Sequence, residues 1–338
     1  MSISTVQQAF EEFEKTKVRV PAWQNDRAKE IHPEVRAAVK EHLGDLFNRA
    51  FLAGSYARKV QTLRLKDVDI IFVLNDPDGT FEASADAALE RLRAAAKTCD
   101  LVERTRIGVR AVKLTIDGEE FTVDIVAALE DAFGGIRLAR RLPEDGSDDW
   151  TPANPKGQLD AHWQKNKDTD GMFIPAVRII RYWNQRTKYN GKNALPSYLA
   201  ESILYHALMS HCEFADAVEK FFRAAETHLS TPWPSVSCPG SPSNMVDDRL
   251  DDSRREFALE KVRAALVHVE DAMAQDDPVD AMDCWVKVFG DAFPAPSGDT
   301  SALAAALRSG TAVAKGAGIT TSAPDGRQVI PARPWRTA

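Results

Sequence analysis

The stretch that most constrains this chain is Gly54 to Leu74, GSYARKVQTLRLKDVDIIFVL. It opens on a Gly-Ser pair, crosses a basic connector and ends in an apolar run, Ile70 to Leu74, entered by two aspartates one residue apart. The apolar run predicts a strand, and residues i and i+2 of a strand share a face. Asp67 and Asp69 therefore project together, while Val68 and Ile70 face the other way. Two neighbouring carboxylates repel one another unless a cation lies between them, and hard oxygen ligands of this kind suit Mg²⁺. Ahead of them, the short apolar run Ala50 to Ala53 ends at Gly54-Ser55. A small-residue turn after a strand lets backbone N–H groups approach a phosphate. The stretch predicts a metal and phosphate site at the mouth of a strand.

A later segment supplies a third carboxylate. Within FTVDIVAAL, Phe121, Val123 and Ile125 occupy one face, and Asp124 lies on the other with Thr122 and Val126. An aspartate inside an apolar strand is costly to bury unless it is paired or bound to metal. The alternative is an edge-strand charge facing water. We assign Asp124 as the third member of the set, because a metal triad needs an acid at this position after the first two. Val109 to Ile116 and Phe121 to Ala127 are predicted to pair as a hairpin through a turn at Asp117-Gly118.

The remaining chain divides by composition. Helical periodicity predicts helices over residues 2–16, 32–48 and 83–98, the first two separated by a connector holding Pro21, Trp23 and Asn25. From Leu142 to Pro155 turn formers and acids accumulate, which places a boundary near residue 150. Beyond it helices are predicted over 157–166, 173–189, 195–212, 214–229, 253–275 and 278–291, forming a second lobe over 151–293. Pro196 in the first turn of the 195–212 segment is a helix start signal, and Ser197 beside it suits either a cap or a phosphate contact. Pro232 to Pro242 reads as a loop, and the acids Asp247, Asp248, Asp251 and Asp252 after it as a solvated face. Residues 294–338, with Arg308, Lys315, Arg327, Arg333 and Arg336 against Asp299 and Asp325, read as a flexible basic tail.

Charge and cysteine content narrow the partners. A net charge of −7 disfavours binding of long nucleic acid, which relies on many cationic contacts to phosphate. It leaves open nucleotides that arrive with Mg²⁺. Cys99, Cys212, Cys238 and Cys284 are too far apart in sequence to form a metal knuckle and read as free thiols of a reducing cytosol. The first thirty residues lack the apolar core of a signal peptide, and no apolar run approaches the roughly 20 residues that span a bilayer. A cytoplasmic location without membrane association is the expectation.

The chain resembles the cGAS/DncV-like nucleotidyltransferases with a SMODS core, the cyclic-oligonucleotide synthases of bacterial antiphage systems (CBASS). The matching pieces are GSYARKVQTLRLKDVDIIFVL, FTVDIV, IPAVRIIRYWNQ and LPSYLAES, in the family's order over most of residues 50–212. The Gly-Ser to DxD arrangement is common to the polymerase-beta-like superfamily, and the Trp-Asn and LPSYLAES pieces narrow the match. The resemblance implies an α+β, bilobal fold with a mixed sheet: a nucleotidyltransferase core with N-terminal helices over 1–150, a helical lobe closing the cleft over 151–293, and the tail. It implies that Asp67, Asp69 and Asp124 hold two Mg²⁺ ions, with Mn²⁺ as a possible substitute, and that Asp124 lies beside the attacking hydroxyl. It further implies that Gly54 and Ser55 contact a triphosphate, that Arg181 and Ser197 reach phosphate, and that Tyr198 stacks on a base. At Arg181 the family usually has lysine, so this chain departs from the pattern there. The implied substrates are ATP and/or another NTP, and the implied partners are operon-encoded proteins that engage the C-terminal tail. No Cys/His cluster matches the zinc insertion of the vertebrate DNA-sensing relatives. Two other readings share the same ligands: a nucleotidyltransferase acting on RNA or protein, and an inactive nucleotide-binding scaffold.

Overall fold

The computed structural model describes residues 3–132, 134–142, 147–231, 235–247 and 250–294, together with the short strands 312–315 and 318–321. Two helices lead the chain. Helix α1 (Val6–Phe13) is capped by Thr5, whose side chain accepts from the Gln8 N–H. After a wider turn over Glu14–Val18, α2 runs from Ala22 to Leu43. It starts ten residues before the predicted 32–48 segment and passes straight through Pro33, so the connector expected around Trp23 and Asn25 is its first turn. Gly44, with φ of 53°, ends it, and the last residues read as helix begin a strand instead.

Seven strands form one mixed sheet. They are β1 (Phe47–Ala53), β2 (Asp67–Leu74), β3 (Val102–Ile107), β4 (Val112–Ile116), β5 (Thr122–Glu130), β6 (Ile136–Leu142) and β7 (Ser147–Ala153). The order is β1-β2-β5-β4-β3, with β6 paired to the far end of β5 and β7 to β6. Strands β2 and β5 are parallel, and the other pairs are antiparallel, including the predicted β4–β5 hairpin. Between β1 and β3 lie the short helices α3 (Gly54–Ala57) and α4 (Thr80–Ala83) and the amphipathic α5 (Ala85–Ala96). Alternation decides what each sheet face does. Val68, Ile70, Phe72, Val123 and Ile125 point to one face and bury against Ile31 and Val35 of α2 and Leu89 and Leu92 of α5. The other face carries a smaller apolar group, Ala53, Ile71, Val73, Ala128 and Ile136, in line with the aspartates.

Strand β7 forms in the segment rich in turn formers and acids: Ser147–Ala153 pairs with β6 along its whole length. Its acids have partners: Asp149 lies in register with Arg140 and 3.7 Å from it, and Asp148 accepts from the Ser84 hydroxyl at 2.7 Å. The boundary placed near residue 150 falls inside this strand.

The second lobe is helical: α6 (Pro155–Asp168), α7 (Phe173–Arg186), α8 (Ser197–Ala207), α9 (Phe214–Ser230), α10 (Asp252–Met273) and α11 (Pro278–Phe289), with two minor ribbons, β8 (Lys188–Tyr189) with β9 (Lys192–Asn193) and β10 (Ser237–Cys238) with β11 (Ser241–Met245). Its core recruits α1. Phe10 lies 4.9 Å from Trp285, 4.9 Å from Phe293 and 5.9 Å from Phe214, and Phe13 packs on Tyr182. Burying two phenylalanines contributes about 3–6 kcal/mol, which ties the first helix of the chain to the last lobe rather than to the sheet. Helix α7 also straps down the basic connector after α3: Arg178 donates to the Lys59 carbonyl at 2.8 Å and Gln185 to the Thr62 hydroxyl at 2.6 Å.

Of the acids after the proline-rich loop, Asp251 and Asp252 are exposed, as a solvated face predicts, and Asp247 is not. Asp247 is buried and accepts from the N–H groups of Ser235 and Val236, and Asp251 caps α10; Asp248 lies outside the described residues. In the tail, Ala312–Lys315 (β12) and Gly318–Thr321 (β13) pair as a small antiparallel ribbon. The rest of the predicted tail lies outside the described residues. Among the described residues no helix is long and apolar enough to cross a membrane, and the four cysteines are free.

Candidate active site

Register assembles the three carboxylates. In the parallel β2–β5 pair Asp69 stands beside Asp124 and Asp67 beside Thr122, at the usual interstrand spacing of about 4.8 Å. Alternation then puts Asp67, Asp69 and Asp124 on one face. Strand β5 is interior, with β2 on one side and β4 on the other, so Asp124 is not the edge charge that the sequence also allowed. Burial, reinforced by the charges of Asp67 and Asp124, pushes the Asp69 carboxyl up to about 7, and Arg58 and Lys113 offset only part of this. Burial also raises Asp124. Two contacts work against that rise: Lys113 Nζ, opposite on β4, lies 3.6 Å from Asp124 Oδ2, and the Thr122 hydroxyl donates to Oδ1 at 3.1 Å.

Gly54 is fixed by contact with this cluster. Its φ is +64°, and a Cβ there would lie 1.7 Å from Asp69 Oδ2. Only glycine lets the turn between β1 and α3 rest directly on the Asp69 carboxylate. Ser55 follows in α3, its carbonyl accepting from the Val60 N–H at 3.0 Å. The pairing of Ala53 with Asp69 across β1 and β2 sets this turn beside the aspartates.

The donor set fits a divalent cation. Carboxylates gathered on one half-buried face, with Asp69 raised by burial and by its acidic neighbours, form an arrangement that a hard cation relieves. Among the described residues no three His, Cys, Asp or Glu side chains already converge at metal-binding spacing.

The other predicted residues lie at the corner of α7 and α8. Arg181 is bonded to the fully buried Glu201, so a phosphate would have to share it. Ser197 is the first residue of α8; it does not cap the helix, and its hydroxyl accepts from Asn193 Nδ2 at 3.3 Å. The Tyr198 ring meets the Arg58 guanidinium, 4.9 Å from the ring centroid, and is stacked with His162 at 6.0 Å. Burial, with the Cys238 thiol 3.6 Å from its hydroxyl, holds the phenol well above its usual range. A base stacking on Tyr198 needs whatever ring face these partners leave. The structure thus gathers Arg181 and Tyr198 around Glu201 and leaves Ser197 one step aside on Asn193.

Sequence reasoning did not single out Glu201, His162 or Lys113, and it left Arg58 unassigned among the connector's cations. A signal for Glu201 was present. It stands in SYLAESILYHA between Leu199, Ala200, Ile203 and Leu204, all buried, which is the same anomaly that marked Asp124.

A cleft of about 940 Å³ opens on the aspartate-bearing side of the sheet. Phe51 and Ile136 line it from the sheet, Lys156 and Leu159 from α6, and Ser243 and Asn244 from β11. Phe51 pairs with Ile71, two residues along β2 from Asp69, or about 7 Å along the strand. The volume is at the upper end of ordinary ligand pockets, and both lobes contribute to it.

Known proteins match this arrangement. The family model described as the Second Messenger Oligonucleotide or Dinucleotide Synthetase domain (SMODS) matches residues 4–166, and that of the cGAS/DncV-like nucleotidyltransferase C-terminal helical domain matches residues 160–251. A cyclic AMP-AMP-AMP synthase of an Acinetobacter strain is 24% identical over 305 residues, covering 86% of each chain. The fold is similar to that of CdnC of E. coli MS115-1, solved with ATP and also in complex with HORMA-deltaN (TM-score 0.67, 20% identity, 85% of this chain and 98% of that one). It is also similar to the CD-NTase CdnG of Bradyrhizobium diazoefficiens, solved with GTP (TM-score 0.70, 14% identity, 85% and 96%). With two adjoining family models matched across residues 4–251, the chain belongs to the cGAS/DncV-like nucleotidyltransferases.

Proposed function

We propose that this protein joins nucleoside triphosphates into a cyclic di- or trinucleotide second messenger. The observation that carries the reading is the in-register placement of Asp69 and Asp124 on a half-buried face, with Asp67 and the Gly54 turn beside them. Held by Asp67, Asp69 and Asp124, Mg²⁺ would supply charge stabilisation at the entering and leaving oxygens of a phosphoryl transfer. In each transfer a ribose hydroxyl of one nucleotide forms a P–O bond to the α-phosphate of another. The bond to pyrophosphate breaks, and the hydroxyl proton is released. Asp124, raised by burial and braced by Thr122 and Lys113, is positioned as the acceptor of that proton. Gly54 and Ser55 bring backbone to the triphosphate, and the cleft beyond Phe51 receives sugar and base. A last transfer within the linear intermediate closes the ring, the second for a dinucleotide and the third for a trinucleotide.

The name of the Acinetobacter relative makes a ring containing adenylates the first product to seek. We further propose that the enzyme acts in the cytoplasm, where nucleoside triphosphates are supplied, a location that four free thiols support. Residues 294–338 are proposed to engage an operon partner through their basic composition. The test is incubation of the full chain with Mg²⁺ and the four NTPs, each labelled in turn, and no other macromolecule. A phosphatase-resistant product with the mass of a cyclic oligonucleotide is expected. Label transfer only when RNA or a protein acceptor is added would replace this reading with the acceptor-dependent one.

A further inference from the structure

A second ionic cluster lies beside the carboxylates, at the junction of the two lobes. Glu201 of α8 is fully buried. Its Oε2 accepts from Arg58 Nε at 3.2 Å and lies 3.1 Å from Arg58 Nη2. Its Oε1 accepts from Arg181 of α7, and His162 Nε2 of α6 lies 3.5 Å from Oε2. Arg58 comes from the other lobe, directly after the Gly54–Ala57 turn. A single residue thus links the phosphate turn of the core to three helices of the second lobe.

The cluster holds more positive charge than a structural pin requires. A buried carboxylate is costly unless it is paired and hydrogen-bonded, and one guanidinium would satisfy that need. Glu201 has two, so the arginines leave a positive charge over, almost wholly desolvated, with their side chains 10% and 12% exposed. Arg181 Nε is buried without an acceptor. Arg58 also lies close to the reaction centre in the chain: it directly follows the Gly54–Ala57 turn, whose Gly54 rests against the Asp69 carboxylate. Surplus charge and an unused buried donor together describe a site prepared for an anion.

We propose that Glu201 is a positioning residue, fixing the Arg58 and Arg181 guanidiniums so that they receive the polyphosphate of the nucleotide bound at the lobe junction. The proposal rests on the nucleotidyltransferase reading. It adds that Arg58 contacts phosphate, that Arg181 does so while still held by Glu201, and that both depend on a carboxylate that touches no substrate. Phosphate entering this cluster contacts donors from both lobes, so binding the triphosphate also draws the lobes onto one another.

The experiment measures Kd for each NTP with Mg²⁺, and for inorganic tripolyphosphate, which has no base or sugar, on full-length wild type and Glu201→Gln. Steady-state kcat and KM accompany these. The amide keeps the shape and removes the charge. Expected are a Kd increase of about tenfold or more for both probes and a parallel rise in KM, with kcat within about threefold of wild type, the signature of lost uniform binding. Glu201→Asp keeps the charge one methylene shorter and should give a smaller rise. It also serves if the glutamine variant does not fold. Variants that melt earlier but bind both probes like wild type would reduce Glu201 to a structural pin and overturn the proposal. Wild type that binds no NTP and makes no product would instead remove the underlying reading.

Discussion

Asp69, half-buried, and Glu201, fully buried, are carboxylates on either side of the lobe junction, and their surroundings are opposite. Burial raises Asp69, Asp67 and Asp124 add to the rise, and its cations Arg58 and Lys113 are outweighed, so it stands at about 7. Burial of Glu201 is complete and would raise it as well, but Arg58 and Arg181, helped by His162, override that penalty and hold it well below the usual carboxylate range. Arg58 serves both groups, bonding one and only partly compensating the other. The difference separates a carboxylate satisfied by its own protein from one left short of positive charge. That shortfall costs stability in the metal-free protein and makes the site receptive to a cation.

The largest effect that tests this contrast is the loss of the Asp69 charge. Asp69→Asn is expected to lower cyclic product more than about 100-fold while leaving the metal-free protein as stable as wild type or a few degrees more so, because a frustrated charge is removed. Thermal melting in EDTA, paired with product analysis, checks it. Loss of product with a lower melting temperature would mean that Asp69 supports the fold, contrary to the comparison. Gly54→Ala reaches the same carboxylate indirectly. The new Cβ would sit 1.7 Å from Asp69 Oδ2 at a φ of +64°. The left-handed backbone alone costs about 1–2 kcal/mol, and the carboxylate must move off its position. Activity should fall at least about tenfold with a measurable loss of stability. Near-wild-type turnover would show that Asp69 does not need to rest on the turn.

A third effect is smaller and separates the two carboxylates by pH. Because the folded-state pKa of Asp69 is above its unfolded value, its contribution favours folding below about 4 and is lost as pH rises through about 7. The shift of Glu201 has the opposite sign. Its contribution is fully present above the unfolded carboxylate range and is lost progressively as pH falls below about 5, so it stays constant from about pH 5 to pH 7, where Asp69 completes its titration. Denaturant midpoints in EDTA should therefore decline between pH 4 and pH 7 in wild type more than in Asp69→Asn. Mg²⁺ should flatten the wild-type curve. Identical pH curves for the two proteins would remove Asp69 as the titrating group.

What the sequence made legible follows from how each feature is encoded. Asp67, Asp69 and Asp124 stood out because a charge breaking an apolar, period-two strand has few inexpensive explanations, and parallel register then brought Asp69 to Asp124. Glu201 breaks an apolar helix in the same way, but its meaning depends on Arg58, 143 residues earlier, and no local pattern reports a partner at that distance. Strand β7 was hidden for a related reason. Its acids resemble loop composition until β6 supplies Arg140 across the pair. Helix α2 begins at Ala22, ahead of the predicted start at residue 32, and runs through Pro33, a residue type that favours the first turn of a helix. The packing of α1 on the helical lobe rests on Phe10 meeting Trp285 and Phe293, contacts between the two ends of the chain.

The smallest expected stability effect is the one that best tests the corner of α7 and α8. A serine at a helix start usually stabilises by capping, and replacing such a cap costs about 0.5–2 kcal/mol. Ser197 makes no cap. Its hydroxyl accepts one bond, from Asn193 at 3.3 Å, in a half-buried position. Ser197→Ala should therefore shift stability by less than about 0.5 kcal/mol. Any larger change in KM for NTP then belongs to a lost phosphate contact and not to the helix. Measured together, denaturant midpoint and KM separate the two roles. An unchanged KM would confine triphosphate recognition to the Gly54 turn and the arginines around Glu201, sharpening the division between carboxylates that bind metal and one that arranges cations. A loss of stability near that of a cap would show that the hydroxyl serves the start of α8 after all.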